Sequence, residues 1–335
     1  MMLLDSTDGS EIIWSNGPAG EQWAPDLYAY TPGDPAPTLV FRNQNRSAQL
    51  NTIAVHHGKY AFEELFTNKD GTTGWRLWFI AAKGSAPVVL DSNAADPQGL
   101  PVPAIWSTIT DGQVVWNSVH MVAGQGTWSL RSYDFSTKTT RTLVEAPENR
   151  TEFWFPNADD GGRVVYSTVE YGPDDQAATA AYHVYIASLS DNPLKPRQLD
   201  KDGLAAEPVL AGDGDTVVWK TVSPPMSVAT WGQLVRYSLR TATTQQMFFD
   251  DQTNLDYQSA GNRYVAGWVW NSRSFDVYDL ETDSSVAIEE HEPTSSIGAY
   301  NAVAAQDLLV FVRGDDSKPG GRNKWLCDAK LPHRD

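Results

Sequence analysis

The feature that most constrains this chain is a short polar turn followed by an apolar strand, which recurs seven times along the sequence. Each copy has Gly or Asp in the turn and ends on an apolar anchor residue. Successive anchors lie 44 to 54 residues apart, and a period of about 40–50 residues is typical of one four-stranded unit in a radially repeated fold. The seven anchors are Trp14, Phe62, Trp116, Tyr166, Trp219, Ala266 and Val310.

Strand-like segments follow each anchor in a constant order. A segment with apolar alternation, such as 128–135 or 182–189, leads through a polar turn to a short outer segment, such as 136–143. Such β-branched and aromatic strand–turn–strand units are typical of antiparallel hairpins. No stretch has sustained helical periodicity. A small sheet cannot bury both faces alone, but sheets stacked around a ring bury each other.

We therefore predict an all-β fold, a seven-bladed β-propeller of four-stranded antiparallel blades. A six-bladed ring is the alternative if the weak second or seventh copy of the repeat is spurious. The whole chain, 1–335, is predicted to be a single propeller domain. Its approximate blades are 1–43, 50–92, 103–146, 152–200, 206–250, 256–289 and 297–332.

Two copies of the repeat resemble a known family. Pro103–Ser107 with Asp111–Trp116, and Glu207–Leu210 with Asp213–Trp219, are similar to the P-x-W-S-P-D-G repeat of TolB-like, WD-repeat-like propellers. The copies depart from that pattern at the Ser-Pro of the first strand. The resemblance implies the propeller fold. It also implies a functional range that covers periplasmic scaffolds, peptidase-associated propellers and oligogalacturonate lyases.

The composition argues against several classes of function. With 25 Lys and Arg against 42 Asp and Glu, the net charge is −17, so the surface repels nucleic acid and anionic lipid. Cys327 is the single cysteine, which leaves no intrachain disulfide. No apolar run reaches the ~20 residues that span a bilayer, so we predict no membrane insertion. The N-terminus lacks a signal-peptide pattern, which fits either a cytosolic protein or a periplasmic or secreted one whose leader has been removed.

Long connections between second and third strands indicate where a ligand would bind. In a propeller these connections share one face, here called the loop face, with the blade-to-blade connections. Segment 117–127 is interpreted as one of the long loops. Because long loops on a rigid scaffold often carry binding residues, we predict a protein or carbohydrate ligand on this face. The predicted ligand-binding residues are Trp23, His120, Glu170, Tyr171, Trp231 and Asp315.

Catalytic and metal-binding signatures are missing from the sequence. There is no G-x-S-x-G elbow and no phosphate-binding glycine motif, nor any H-x-x-x-H or C-x-x-C spacing. His56 and His57 are adjacent, and neighbouring strand residues point to opposite faces, so we expect them not to bind one metal together. We predict no catalytic residues, no metal site and no cofactor. Weak calcium binding is left open by the acidic doublets at 159–160, 174–175, 250–251 and 315–316.

These observations predict a non-catalytic propeller that binds a ligand or another protein. The alternative is a carbohydrate-active enzyme, an oligosaccharide lyase or glycoside hydrolase, acting at the channel mouth. The two carboxylates of a glycoside hydrolase are recognised by the distance between them in the folded protein. Their spacing in the sequence does not reveal that distance. A lyase of acidic sugars would need cationic side chains to hold uronate carboxylates.

Overall fold

Each copy of the repeat forms a small antiparallel sheet, and the sheets follow one another along the chain. The computed structural model describes residues 2–17, 24–96, 104–172, 180–222, 231–247, 255–261, 263–269, 274–289, 297–306, 308–315 and 323–330. Within each sheet the strands lie side by side in chain order, from the central channel outward. In the described part of the chain, no helix has the length and apolar character needed to cross a membrane.

The first three sheets are complete blades of four strands. Blade 1 contains β1 (Met2–Thr7), β2 (Ile12–Asn16), β3 (Asp26–Tyr30) and β4 (Thr38–Arg42). Blade 2 contains β5 (Gln49–His56), β6 (Lys59–Thr67), β7 (Thr73–Ile80) and β8 (Val88–Ser92). Blade 3 contains β9 (Ser107–Ile109), β10 (Gln113–Val122), β11 (Gln125–Asp134) and β12 (Thr139–Pro147).

Three further blades and a smaller sheet follow. Blade 4 contains β13 (Thr151–Ala158), β14 (Arg163–Glu170), β15 (Ala181–Ser188) and β16 (Arg197–Gln198). Blade 5 contains β17 (Ala205–Leu210), β18 (Thr216–Val222), β19 (Trp231–Ser238) and β20 (Thr243–Gln246). Blade 6 contains β21 (Leu255–Ala260), β22 (Tyr264–Val269), β23 (Ser274–Asp279) and β24 (Ser284–Glu289). The last sheet contains β25 (Ile297–Ala305), β26 (Leu308–Asp315) and β27 (Asn323–Lys330).

The all-β propeller with four-stranded antiparallel blades is confirmed, but the predicted number of blades is wrong. Six of the described sheets have four strands, and the last sheet has three. Each complete blade continues beyond its third strand through a turn into an outer strand, whereas the described part of the chain ends with β27 at Lys330. The alternative of six four-stranded blades gives the right number. The reason given for that alternative, a spurious second or seventh copy, is wrong, because the second copy forms a four-stranded blade and the seventh forms a three-stranded sheet.

The anchors of the repeat lie in the seams between sheets, as predicted. Tyr166 in blade 4 packs in one cluster with Val115 of blade 3, and Trp219 in blade 5 packs with Val165 of blade 4. In these blades the anchor faces the preceding blade and the residue before it faces the next one. In blade 6 and the last sheet the order is reversed, since Val265 packs with Val218 of blade 5 and Val310 packs with Trp14 of blade 1. Strand alternation produces this division, and it explains why both residues are apolar in most copies.

Side-chain packing closes the ring. Trp14 of blade 1 shares a buried cluster with Leu308 and Val310 of the last sheet. The first sheet contains only β1 to β4 and the last only β25 to β27, so no described strand is exchanged between them. The two ends of the described chain are thus joined by apolar contact in place of a shared ladder of hydrogen bonds.

One predicted long loop is a tight hairpin. β10 extends to Val122 and pairs with β11 from Gln125 onward, so 117–127 is almost entirely strand. Ala123 and Gly124 form the two-residue turn with φ of 51° and 83°. Positive φ at both central residues matches the twist of an antiparallel hairpin. The sequence hid this turn because Ala is not a usual residue at such a position.

Candidate functional site

The turns between the first and second strands of the sheets gather at one end of the central channel, here called the turn face. A cavity of about 550 Å³ opens there, and residues from all seven sheets line it. Its titratable lining residues are Asp8, His56, Asp159, Asp160 and Arg163. Asp159 and Arg163 form an ion pair with each other. Of the titratable residues that line the cavity, this leaves Asp8, His56 and Asp160 outside that pair.

His56 and His57 converge at this mouth, contrary to the expectation that they diverge. His56 is the last residue of β5, whereas His57 has already left the strand with a φ of 47°. This left-handed backbone ends the strand alternation, so the two rings lie only 4.1 Å apart between centroids. The expectation applied strand alternation to a pair whose second residue lies in the turn, where alternation does not hold.

Two carboxylates from the next blades complete the cluster. Asp111 lies in the turn before β10, and its Oδ1 is 3.0 Å from His57 Nδ1 and 3.3 Å from His56 Nε2. Asp160 lies in the turn before β14, and its Oδ1 is 3.1 Å from His56 Nε2. Lys59 Nζ is 3.7 Å from Asp111 Oδ1. Blades 2, 3 and 4 thus each contribute charged or imidazole groups to one small volume.

Backbone hydrogen bonds fix the turns that carry these groups. The His57 amide donates to Asp8 Oδ2 at 2.8 Å, and the Asp111 amide donates to Asp160 Oδ1 at 2.8 Å. Asp8 itself accepts from the amides of Ser10 and Glu11 within its own turn. Each turn is therefore tied to the turn of a neighbouring blade, which holds the cluster in place before any ligand arrives.

Electrostatic interactions favour the ionised forms of Asp111 and Asp8. The hydrogen bond with His57 is the main cause that lowers the pKa of Asp111, and the nearby charges of His56, His57 and Lys59 lower it further. Burial opposes ionisation of Asp8, but hydrogen bonds from Ser10, Glu11 and His57 outweigh it and lower its pKa. Two ionised carboxylates at the rim make the mouth attractive to positive charge.

We name the group formed by His56, His57, Asp111 and Asp160 the rim cluster. Sequence analysis missed Asp111 as a binding residue and considered Asp160 only within the acidic doublet 159–160, for weak calcium binding. The signal was present, since Asp111 opens one copy of the repeat and Asp160 precedes the Gly-Gly turn of the next. Equivalent positions of a repeat share one face of the ring. The repeat alone does not predict that neighbouring turns approach each other to within hydrogen-bond distance.

The structure places His120 between two carboxylates in a seam between blades. Its Nε2 lies 2.9 Å from Asp91 Oδ1 and its Nδ1 lies 2.6 Å from Asp96 Oδ2. Arg131 Nη1 donates to Asp91 Oδ2 at 2.9 Å. Asp91 lies on β8 and Asp96 in the connection that follows it. His120 therefore ties blade 2 and its outgoing connection to blade 3.

The remaining predicted ligand-binding residues do not form one described site. Tyr171 donates to Glu152 Oε1 at 2.9 Å and packs against an apolar cluster, whereas Glu170 Oε1 accepts from Tyr185 at 3.1 Å. Trp231 begins β19 and Asp315 ends β26, but their side chains lie outside the described part. Trp23 also lies outside the described residues. The prediction of a ligand at these six residues stays a prediction.

A second cavity, of about 540 Å³, opens on the loop face beside blade 1 and the connection that follows it. Tyr28, Arg42 and Arg46 are among the residues that line it. Arg46 donates to both carboxylate oxygens of Asp26, at 2.5 and 3.1 Å. This cavity carries cationic side chains, in contrast to the acidic mouth on the turn face.

Comparisons with known proteins support the fold and leave the function open. No family model and no characterised protein matches this sequence. The β-propeller domain of the Trilobed protease from Pyrococcus furiosus, described as having an open velcro topology, is similar in structure. It has 10% identity, coverage of 99% of this chain and 96% of that one, and a TM-score of 0.63.

Two further solved structures show a similar architecture. A puromycin-hydrolyzing peptidase from Mycobacterium tuberculosis has 15% identity, covers 98% of this chain and has a TM-score of 0.56; this chain spans only 51% of its length. TolB from Acinetobacter baumannii has 11% identity, coverage of 98% and 78%, and a TM-score of 0.48, too low to carry an argument. The two structures with higher TM-scores thus show the β-propeller fold and nothing finer.

Proposed function

We propose that this chain is a non-catalytic binding propeller that takes a positively charged group at the channel mouth on its turn face. One observation carries the proposal: Asp111, Asp160 and two imidazoles from neighbouring blades converge at the rim of a cavity of about 550 Å³. The ligand group can be a cation or a basic side chain of a protein partner. The net charge of −17 favours the approach of either.

The contacts of the rim cluster support binding over catalysis. Nucleophilic catalysis needs a hydroxyl or thiol within hydrogen-bond reach of a base. The described contacts of His56 and His57 at the mouth are with carboxylates. An imidazole paired with a carboxylate, without a nucleophile beside it, holds charge and orients a ligand.

The alternative function, a carbohydrate-active enzyme, is favoured by the cavity on the loop face. Arg42 and Arg46 line it beside Tyr28. Guanidinium groups bind carboxylates well, and an aromatic ring can contact the face of a sugar. An acidic oligosaccharide would therefore bind there and avoid the acidic mouth.

Two oppositely charged probes test these functions by calorimetric titration. We expect a short oligolysine peptide to bind the wild type in the presence of a chelator, with an affinity that falls as salt rises. D160N should weaken this binding about 2- to 5-fold, because it removes one partly exposed charge. E145Q removes an exposed charge from the outer strand β12 and should leave binding unchanged.

The opposite result would overturn the proposal. If a short oligogalacturonate binds and oligolysine does not, the mouth is not the binding site and the enzyme hypothesis gains. Release of an unsaturated sugar product would then establish lyase activity. Equal weakening of oligolysine binding by D160N and E145Q would show that only the overall charge attracts the peptide.

A further inference from the structure

We infer that the rim cluster is a binding site for a divalent transition-metal ion such as Zn²⁺, held by His56, His57 and Asp111 with Asp160 as the fourth ligand. The inference rests on the proposed function, because it names the cation that the mouth takes. One ligand atom from each of the first three residues lies within 4.8 Å of the others. Asp160 faces the same volume from the next blade.

Three of the six distances between donor atoms are close to those of a tetrahedral site. A tetrahedral ion with ligands at about 2.0–2.2 Å has neighbouring ligand atoms about 3.3 Å apart. The separations here are 3.0 Å for His57 Nδ1–Asp111 Oδ1, 3.1 Å for His56 Nε2–Asp160 Oδ1 and 3.3 Å for His56 Nε2–Asp111 Oδ1. For these three pairs, shifts of a few tenths of an ångström would bring the donor atoms to tetrahedral spacing.

The ring nitrogen of His56 adds a second observation. His56 Nε2 is buried and makes no properly directed hydrogen bond to any described residue, although two carboxylate oxygens lie 3.1 and 3.3 Å away. Buried polar nitrogens normally have a partner. A cation between the ring and the carboxylates would satisfy the nitrogen and both oxygens together.

The donor set selects the kind of ion. Imidazole nitrogen suits zinc, copper, nickel and iron, whereas calcium takes six to eight oxygen ligands and magnesium prefers oxygen and water. The two carboxylates also neutralise a divalent charge, since metal-bound imidazoles are neutral. The weak calcium binding left open by the acidic doublet 159–160 is thus replaced here by a transition-metal site that uses only its second member.

Other parts of the structure support the ligands from outside. The His57 amide is held by Asp8, and Asp160 Oδ1 accepts from the Asp111 amide. Such outer hydrogen bonds orient metal ligands. Lys59 Nζ, 3.7 Å from Asp111 Oδ1, offsets part of the carboxylate charge before an ion binds. Lys59 is therefore a competitor of the metal.

Titration with Zn²⁺, and the visible spectrum of the Co²⁺-loaded protein, test the inference. We expect one ion per chain in the wild type. H56Q and H57N should each weaken binding at least 10-fold, and Asn at position 57 tolerates the left-handed backbone. H183Q removes the histidine of a His–Asp pair on another blade and should leave zinc binding unchanged. K59Q should strengthen it about 2- to 5-fold, a gain that misfolding cannot produce.

The outcomes separate this inference from the proposed function. If the wild type binds no zinc, or if H56Q and H57N bind it as the wild type does, the metal site is refuted. The oligolysine titration contains a chelator, so peptide binding in that experiment would still support the proposed function. If the protein binds zinc but not oligolysine, the metal site is supported and the proposed binding of basic protein partners is refuted.

Discussion

At the residue scale, the position after each anchor carries a polar side chain in five sheets. It is Ser15, Glu63, Asn117, Ser167 or Lys220, and all five are buried. The contacts run to the inner-strand region, within a blade or in the next one. Ser15 bonds Leu50 O, and Asn117 Oδ1 accepts from the Trp106 amide at 2.7 Å. Four of these side chains thus satisfy backbone groups where the inner strands bend away from regular pairing. The fifth, Lys220, forms an ion pair with Glu207.

Glu63 is the member of this set with an unusual charge state. Its Oε1 accepts from the Ile105 amide at 3.2 Å, and Oε2 is buried without a hydrogen bond to a described residue. Burial is the main cause that raises its pKa to about 8. The folded pKa therefore lies above the unfolded value of 4.5. The contribution of Glu63 to stability is greatest below that unfolded value and is lost as pH rises through the folded pKa.

We expect E63Q to remove this pH dependence. Relative to E63Q, the wild type should lose about 2–3 kcal/mol in the free energy of unfolding between about pH 5 and about pH 7. Urea unfolding at several pH values measures the difference. E145Q, an exposed carboxylate on β12, should keep the wild-type slope. Parallel slopes for E63Q and the wild type would contradict the raised pKa.

At the element scale, connections between blades are fastened by ionic contacts as well as by apolar packing. His120 on β10 holds Asp91 on β8 and Asp96 in the outgoing connection of blade 2. Burial disfavours the charged imidazole, but the hydrogen bonds and charges of Asp91 and Asp96 outweigh it and raise the pKa of His120. His120, which the sequence predicts to bind a ligand, thus holds the connection between blades 2 and 3 in place.

We expect H120Q to destabilise the protein most at acidic to neutral pH. Because the folded pKa lies above the ordinary value of 6.5, the stabilisation is complete below that value and is lost as pH rises through the folded pKa. H120Q should lower the free energy of unfolding by about 1–3 kcal/mol at acidic pH and by less at higher pH. Thermal unfolding across pH measures it, and a cost independent of pH would contradict the assignment. D96N, which removes one of the two negative charges beside His120, should be less stable than the wild type and more stable than H120Q.

At the scale of the whole molecule, the ring closes without a described strand shared between its ends. Closure depends instead on packing between blade 1 and the last sheet and on turns that meet at the mouth. Gly261, in the turn before β22, lies against the backbone of Gln306 in the last sheet. The Gln306 side chain in turn reaches Gly9 in blade 1. These turns link blade 6, the last sheet and blade 1.

We expect G261A to weaken the closure of the ring. A Cβ at this position would lie 2.5 Å from Gln306 O and 2.9 Å from Gln306 N, so the two turns would have to separate. The cost should be about 1–3 kcal/mol, measured by thermal unfolding and by proteolysis of the last sheet. G112A is the control, because a Cβ there has no neighbour within 4 Å among the described residues. Equal stability of the two variants would show that Gly261 does not constrain closure.

The sequence by itself determined the repeat, the all-β fold and the buried seams. Strands with alternating apolar residues recur at a fixed period, and the apolar face of each small sheet can be buried only against the sheet formed by a neighbouring copy of the repeat. Only the tertiary structure decided that the last sheet has three strands, that Ala123 forms a tight hairpin, and that His57 turns back toward His56. The rim cluster also needed the ring, since His57, Asp111 and Asp160 are separated by about one repeat each and meet only where neighbouring turns converge. Local pattern fixes what each unit forms, whereas distances between units follow from how the units pack around the channel.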